Sequence, residues 1–385
     1  MPMPGQPGRP NRYFSLGIKA LGAAILTAGA VGFYFRNEVQ AIYIAHQIST
    51  AGDAESTQWI DQAASLGDAG VGPISNLFFS DRIATCSTAK SCLEKVSAKW
   101  ESDDPRRVQL ARNLAHNFVH FSTPGQAASL NLVSSWIESE ISPQSALFQP
   151  VAAIIGQAAL GIAETGAEPS PAVPQAALAL LRKMKMTSTE SKPEERLAQR
   201  DLLRQILRKA DPGSRVDAIG LAFAGDFDLQ DDLTALLQDP VAEVRRGAVL
   251  ALGPASEKVR DEVLLGALHD NDAEVSRLAE LALQFRGLTA EHIKLGKLLT
   301  HADASRRLEV LDLLVEFPDL DEKLWLQRLS HDRAASVRAA AARAMSQRFG
   351  PQADERLREM AANDPSPAVT KLARYYLKQQ SVRPQ

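Results

Sequence analysis

The sequence predicts an all-α protein whose antiparallel helix pairs stack into an α-solenoid. Long runs of the 385 residues consist of Ala, Leu, Arg, Glu and Gln, which are strong helix formers. Runs in which Val, Ile or Tyr alternate with polar residues, as they do in strands, are almost absent. A helix-length pattern recurs about every 31 residues in the C-terminal half, and such a period indicates stacked supersecondary units.

The N-terminal residues predict a short tail followed by a membrane anchor. Residues 1–13 are rich in Pro and Gly and lack periodicity, so we expect them to be disordered. The segment Phe14–Phe35 has 22 residues with Lys19 as its one charge. Because a bilayer core needs about 20 apolar residues, we assign residues 14–36 to a single transmembrane helix.

Flanking charges predict the orientation of this anchor. Arg9, Arg12 and Lys19 precede the apolar core or lie near its start, whereas Arg36 alone follows it closely. Positive residues favour the cytoplasmic side, so the tail should be cytoplasmic and the bulk of the chain extracytoplasmic, on a bacterial inner membrane. A cleaved signal peptide is the alternative, because the small residues of 28–30 match a cleavage site.

Residues 37–200 carry helical patterns with poor phasing, which we interpret as irregular repeats. A separate N-terminal helical domain is the alternative. Residues 79–102 break the rhythm and are predicted to be an insertion on one edge. This segment contains Cys86 and Cys92 in a stretch of small polar residues typical of a loop, so the two thiols could form a disulfide in an oxidising compartment.

The stretch "LLQDPVAEVRRGAVLALG", which covers residues 236–253, shows the regular unit. Asp239 suits an N-cap, Pro240 suits the first helical turn, and Gly253 suits the helix end. An apolar stripe runs along one helix face at i, i+4 and i+8. Its residues are Val244, Ala248 and Leu252.

The same stripe begins again at regular intervals along the chain. The starting residues are Val244, Val275, Arg306, Val337 and Val369, at separations of 31, 31, 31 and 32 residues. A weaker copy follows Asp211, with its stripe at Val216, Gly220 and Ala224. A second helix is predicted between successive stripes. We therefore assign regular repeats to residues 201–380 and a tail to residues 381–385.

The run D-P-x-x-x-V-R at 239–245, with relatives at 332–338 and 364–369, resembles the HEAT repeat in its short bacterial form, which also occurs in phycobilisome lyases. The resemblance implies a HEAT-like superhelix in which cap aspartates and arginines form a hydrogen-bonded ladder. The positions it assigns to caps and ladder are Asp239, Arg245, Asp270, Arg307, Asp332, Arg338 and Asp364. Ser276 and Thr370 replace the arginine, so the ladder should be interrupted at two rungs.

The sequence offers no catalytic constellation. It contains no P-loop, no G-x-S-x-G and no G-x-G-x-x-G after a strand. His116 and His120 stand four apart on a predicted helix, but no third metal ligand is evident, so we interpret them as structural, as we do His269, His301 and His331. A formal net charge of −3 argues against nucleic acid as the main partner.

These patterns predict a membrane-anchored scaffold or adaptor that binds other proteins through its solenoid surface. We expect no cofactor, no metal and no small-molecule substrate. One alternative is a bilin lyase-like enzyme, which the resemblance to phycobilisome lyases suggests. The other is a passive structural spacer of the cell envelope.

Overall fold

The computed structural model describes residues 36–382 except for 53–54, 56–57, 102, 138–144, 165–169, 185–192 and 256–257. Every regular element within these ranges is a helix. The predicted tail 1–13 and the predicted membrane segment Phe14–Phe35 lie outside the described residues. In the described part of the chain, no helix combines the length and apolarity that crossing a bilayer requires.

The chain divides into two compact units, and the first ends at Phe227. Its described helices are α1 (Arg36–Thr50), α2 (Trp59–Ser65), α3 (Asp68–Ser75), α4 (Ile83–Ser97), α5 (Pro105–Asn117), α6 (Thr123–Trp136), α7 (Phe148–Glu164), α8 (Ala172–Lys183), α9 (Pro193–Lys209) and α10 (Pro212–Ala224). Most helices pack on the helix two places along the chain, as α4 does on α6, α5 on α7, α6 on α8 and α7 on α9. This packing is expected when helix pairs stack in series.

The second unit runs from Asp228 onward. Its described helices are α11 (Gln230–Ala235), α12 (Ala242–Leu252), α13 (Asp261–Ala267), α14 (Ala273–Phe285), α15 (Ala290–Thr300), α16 (Ala304–Glu316), α17 (Glu322–Leu329), α18 (Ala335–Phe349), α19 (Asp354–Asn363) and α20 (Pro367–Val382). The even-numbered helices α12 to α20 carry the predicted stripes and are called first helices below; α13 to α19 are the second helices. The last helix extends into the predicted tail 381–385.

The predicted stripes of the second unit are buried. Each stripe except that of α16 begins at a fully buried valine, and the small residue in mid-stripe is also fully buried. In α16 the stripe begins at Arg306, which is exposed, while Val310 and Leu314 are buried as predicted. The burial pattern therefore confirms the repeating apolar face, and the first and second helices share one core.

The stripe predicted for the weak copy after Asp211 is wrong. Gly220 and Ala224 are exposed, whereas Ala218 and Ala222 are buried. Asp211 is itself the N-cap of α10 and accepts a hydrogen bond from the Ser214 amide at 3.1 Å. In the later repeats the helix starts further along from the corresponding aspartate, so the buried face of α10 is shifted by two residues.

The environment predicted for the two cysteines is also corrected. Cys86 and Cys92 lie on α4, not in a loop, and both are buried and free. Six residues on a helix separate two Cα atoms by about 9 Å along the axis, which is beyond the reach of a disulfide. Burial is the main reason that the pKa of both thiols is raised, for Cys92 to about 12. Because α4 packs on α2, α3 and α6, residues 83–97 of the segment predicted as an insertion belong to a packed helix.

Candidate interaction surface of the second unit

Three bidentate ion pairs join neighbouring repeats with one shared geometry. In each pair, the arginine lies on the first helix of one repeat and donates from Nε and Nη2. The two acceptors are the carboxylate oxygens of an aspartate that lies just before the first helix of the following repeat. The pairs are Arg245–Asp270, Arg307–Asp332 and Arg338–Asp364, with N···O distances of 2.6–2.9 Å. These contacts form the predicted ladder.

The remaining donors of each ladder arginine bond to its own repeat. Nη1 of Arg307 donates to the carbonyl oxygens of His301 and Ala302, both at 2.8 Å, and Arg245 and Arg338 make the equivalent contacts. The side chains of Arg307 and Asp332 are only 4% and 5% exposed. A buried ion pair with satisfied donors fixes the relative position of the two repeats it joins.

The aspartates that stand two residues before the N-cap of a first helix, a place we call the frame position, are not themselves N-caps, which corrects the expectation from sequence. These frame aspartates are Asp239, Asp270, Asp332 and Asp364. Each carboxylate accepts a hydrogen bond from the amide two residues later and forms a tight turn before the helix. The amides belong to Val241, Asp272, Ala334 and Ser366, at 2.7–2.9 Å. The N-cap proper follows two residues after the frame position, at Val241, Asp272, Asp303 and Ala334.

Hydrogen bonding from arginine lowers the pKa of two ladder carboxylates, Asp270 and Asp364. The Arg245 side chain is the main cause for Asp270, and the Arg338 side chain is the main cause for Asp364. Both aspartates therefore stay ionised under all ordinary conditions, and the ladder is held by charge as well as by geometry.

The ladder is interrupted between α14 and α16. Ser276 stands in the arginine place, and its hydroxyl donates at 2.9 Å to the carbonyl of Leu268, which directly follows α13, and not toward α16. A second kind of ion pair between repeats is also missing at this joint among the described residues. Arg246 reaches across to Asp272 at 2.6 Å, whereas the corresponding Arg277 pairs with Glu274 on its own helix. The second predicted interruption, at Thr370, lies on the last helix, where its hydroxyl donates to the Asp364 carbonyl at 3.3 Å.

Two histidines occupy the interrupted rung. His301 replaces the frame aspartate, and its Nδ1 accepts from the Asp303 amide at 3.0 Å, so the imidazole reproduces the turn. Nε2 of His269 lies 2.7 Å from the Lys297 carbonyl oxygen, to which it must donate. The two rings meet edge to face with centroids 5.3 Å apart. Burial lowers the pKa of His269 and so favours its neutral form.

A groove lies beside this pair, between α15 and α16. Its volume is about 690 Å³, and its lining includes Lys294, Lys297 and Asp312. First helices pack closely at α12/α14, α16/α18 and α18/α20, whereas α14 and α16 make at most a marginal contact within the described residues. The groove therefore opens where the cross-repeat ties are missing.

Three exposed apolar side chains lie on α12 and α14, on the side away from the core. Leu250 and Leu281 each lie six residues after the start of their stripe, which places them on the opposite side of the helix from the core. They are 59% and 46% exposed, and Phe285, one turn beyond Leu281, is 79% exposed. The ends of α12 and α14 approach closely, since a Cβ at Gly253 would lie 3.1 Å from the Cβ of Ala282. We call Leu250, Leu281 and Phe285 the outer patch.

The remaining histidine pair of the sequence analysis is divided between two elements. α5 ends at Asn117, so His116 lies on this helix and His120 on the short 3₁₀ segment that follows. Both histidines are exposed. In the part of the chain that the structure describes, no three His, Cys, Asp or Glu side chains are grouped so that they could hold a metal ion.

The groove could not be found from sequence motifs, but a signal for it exists. Ser276 and His301 depart from the repeat at the two ends of the same rung, 25 residues apart. The separation between partners in the intact rungs is 25 or 26 residues. A paired departure at this separation therefore marks the interrupted rung.

Comparisons with known proteins leave the family open. No family model matches the chain, and no curated protein matches it. Among solved structures, it is similar to an engineered protein whose crystal structure was determined by the Northeast Structural Genomics Consortium. The match covers 90% of this chain and 95% of that chain, at 16% identity and a TM-score of 0.35, and this similarity is too low to carry an argument.

Proposed function

We propose that the protein is a membrane-anchored, HEAT-like scaffold that binds other proteins through the stacked helices of its second unit. The outer patch carries this proposal. Three large apolar side chains stand in solvent on two neighbouring helices, and exposed apolar clusters rimmed by polar residues mark protein-binding surfaces. Phe285, the most exposed of the three, supplies an aromatic anchor of the type found at binding hot spots.

The ladder supports a binding role because it makes the surface rigid. A surface whose helices are already ordered loses less conformational entropy when a partner docks than a surface that must become ordered on binding. Leu250 and Leu281 occupy equivalent places on helices joined by Arg245 and Asp270, so their spacing is set by the ion pair as well as by the core. The proposal assigns the protein no catalytic step and no cofactor.

A photo-cross-linking residue placed at Phe285 tests the binding surface. In the full chain, expressed in native membranes, it should give a discrete adduct with one or few proteins. The same residue at Ala362, which is exposed on α19 away from the outer patch, is the matched control. Adding Leu281→Glu should abolish the Phe285 adduct, since a charge in the patch opposes apolar docking. Indistinguishable adduct patterns from positions 285 and 362 would contradict the proposal.

The anchor remains part of the proposal. Phe14–Phe35 would hold the chain at the inner membrane with its N-terminus in the cytoplasm, as the flanking arginines favour. Alkaline phosphatase fused after Gln385 should then be active, because this enzyme folds only after export. An inactive phosphatase together with a fluorescent GFP fusion at the same point would show that the proposed orientation is wrong.

A further inference from the structure

The groove between α15 and α16 has the dimensions of a recognition site. Its volume of about 690 Å³ lies within the range of about 300–1,000 Å³ that is typical of ligand pockets. It opens at the interrupted rung, where Ser276 and His301 replace the ladder pair. The outer patch lies on other helices, so the groove is a separate surface.

One wall of the groove carries two lysines that form no ion pair with the residues that the structure describes. Lys294 and Lys297 are exposed on α15 and lie three residues apart, so they project from one side of the helix. The ammonium of Lys294 lies 5.4 Å from the centre of the Phe317 ring, a contact that leaves its charge in place. On the opposite wall Arg306 and Glu309 neutralise each other at 2.9 Å. The wall formed by α15 therefore favours a negatively charged occupant.

The groove also offers apolar contacts and a directed hydrogen-bond donor. Leu298 and Leu313 line it from α15 and α16 and are half-buried. Because Nδ1 of His301 accepts from the Asp303 amide, the neutral ring carries its proton on Nε2, which is left to donate. Asp312, exposed on the α16 wall, repels an occupant whose negative charge lies on that side. The chemistry is thus asymmetric across the groove.

We propose that this groove binds an acidic segment of a partner protein, with a carboxylate against Lys294 and Lys297 and an apolar side chain against Leu298 and Leu313. This inference rests on the proposed scaffold function and gives the partner a chemistry. A segment with both groups satisfies the basic wall and the apolar floor together. A simple anion would satisfy only the basic wall.

Fluorescence anisotropy with short labelled peptides tests the proposal on the full chain in nanodiscs. The probe is a Gly-Ser peptide with a central Glu-Leu-Glu. The variant K294E/K297E should weaken its binding roughly tenfold, since two attractive pairs become repulsive. The matched control is K323E/K371E, which makes the same change of net charge at exposed lysines on α17 and α20. The control should bind like the unmodified protein.

The outcomes separate the possible occupants. Equal weakening in both double variants would show only non-specific attraction and overturn the site. Equal binding of a Gln-Leu-Gln peptide would remove the basic wall from recognition, and equal binding of Glu-Ser-Glu would remove the leucines. Displacement of the probe by inorganic phosphate or an oligonucleotide at similar ionic strength would assign the groove to phosphate groups. If the peptide binds as expected while position 285 gives no adduct, the proposal for the groove is supported and the proposal that the outer patch binds a partner is wrong.

Discussion

At the scale of single residues, an arginine or a serine at one helix position decides how two repeats are joined. Arg307 uses four of its five guanidinium N–H groups, with two bonds to Asp332 and two to backbone carbonyls. The hydroxyl of Ser276, at the equivalent position, donates back to the Leu268 carbonyl at the end of α13. Removing one partner of the buried Arg307–Asp332 pair should be costly, because the other charge would remain buried and unpaired.

Replacing Arg307 by Ala should therefore destabilise the second unit by about 3–5 kcal/mol. Its sequence neighbour supplies the control, because Arg306 is exposed and pairs with Glu309 in solvent. Arg306→Ala should change the free energy of unfolding by no more than about 1 kcal/mol. Urea denaturation followed by circular dichroism measures both. A similar loss in the two variants would mean that the ladder pair does not act as a buried charge pair.

The lowered pKa of Asp364 predicts how the ladder responds to acid. A carboxylate whose pKa is lower in the folded state than in the unfolded state stabilises the fold above its unfolded pKa, about 3.9. The stabilisation is lost as the pH falls through the folded pKa. The stability difference between the unmodified protein and Arg338→Met should thus be constant above about pH 5 and shrink below about pH 4. A difference that stays constant down to pH 2 would refute the assignment.

At the scale of elements, close contact between helices depends on small residues at particular positions. Gly296 on α15 faces Leu265 on α13 so closely that an added Cβ would lie 2.4 Å from a leucine methyl carbon. Gly266 on α13 has nothing within 4 Å of the same construction. Two helical glycines in one unit therefore have opposite requirements, and only the first is needed for packing.

Gly296→Ala should destabilise the second unit by about 1–3 kcal/mol, because the α13/α15 contact must widen or Leu265 must leave its rotamer. Gly266→Ala should leave stability unchanged or raise it by up to about 1 kcal/mol, since alanine lowers the entropy of the unfolded chain. Thermal unfolding of both variants decides the matter. Stabilisation by both alanines would show that α13 and α15 pack less closely than the structure has them.

Sequence reasoning reached the repeating face and the ladder partners but not the joints between elements. The stripes at Val244 and Val275 were predictable because a fixed period leaves one apolar face per helix. The buried face of α10 was not predictable from the sequence, since the start of this helix depends on whether Asp211 caps it or forms a turn before it. The placement of Cys86 on a helix was missed because small polar residues are typical of loops but also pack well between helices. The groove depends on a missing contact, which no motif records.

At the scale of the whole molecule, the chain divides between Phe227 and Asp228 into two compact units. This division differs from the expected change of repeat type near residue 200. The regular ladder belongs to the second unit, which has its own buried core from Leu233 to Ala373. Stacked repeats gain stability from neighbours within a unit, so such a unit needs few contacts outside itself.

The fragment 228–385 should therefore fold alone. Its circular dichroism should show helix and a single cooperative thermal transition. Arg307→Ala should lower the transition temperature of the fragment as it does in the full chain. A fragment that lacks cooperative unfolding would place part of its core in the first unit.

The missing tie at Ser276 has a mechanical consequence. An anchor that fixes one end of the chain and a partner that pulls on the other would load every joint of the second unit in series. The joint between α14 and α16, which lacks an arginine–aspartate pair, should yield at lower force than the joints that have one, and stretching the chain between two beads should record this event first. Its opening would widen the crevice beside it, so that tension at the membrane would set how readily that crevice is filled.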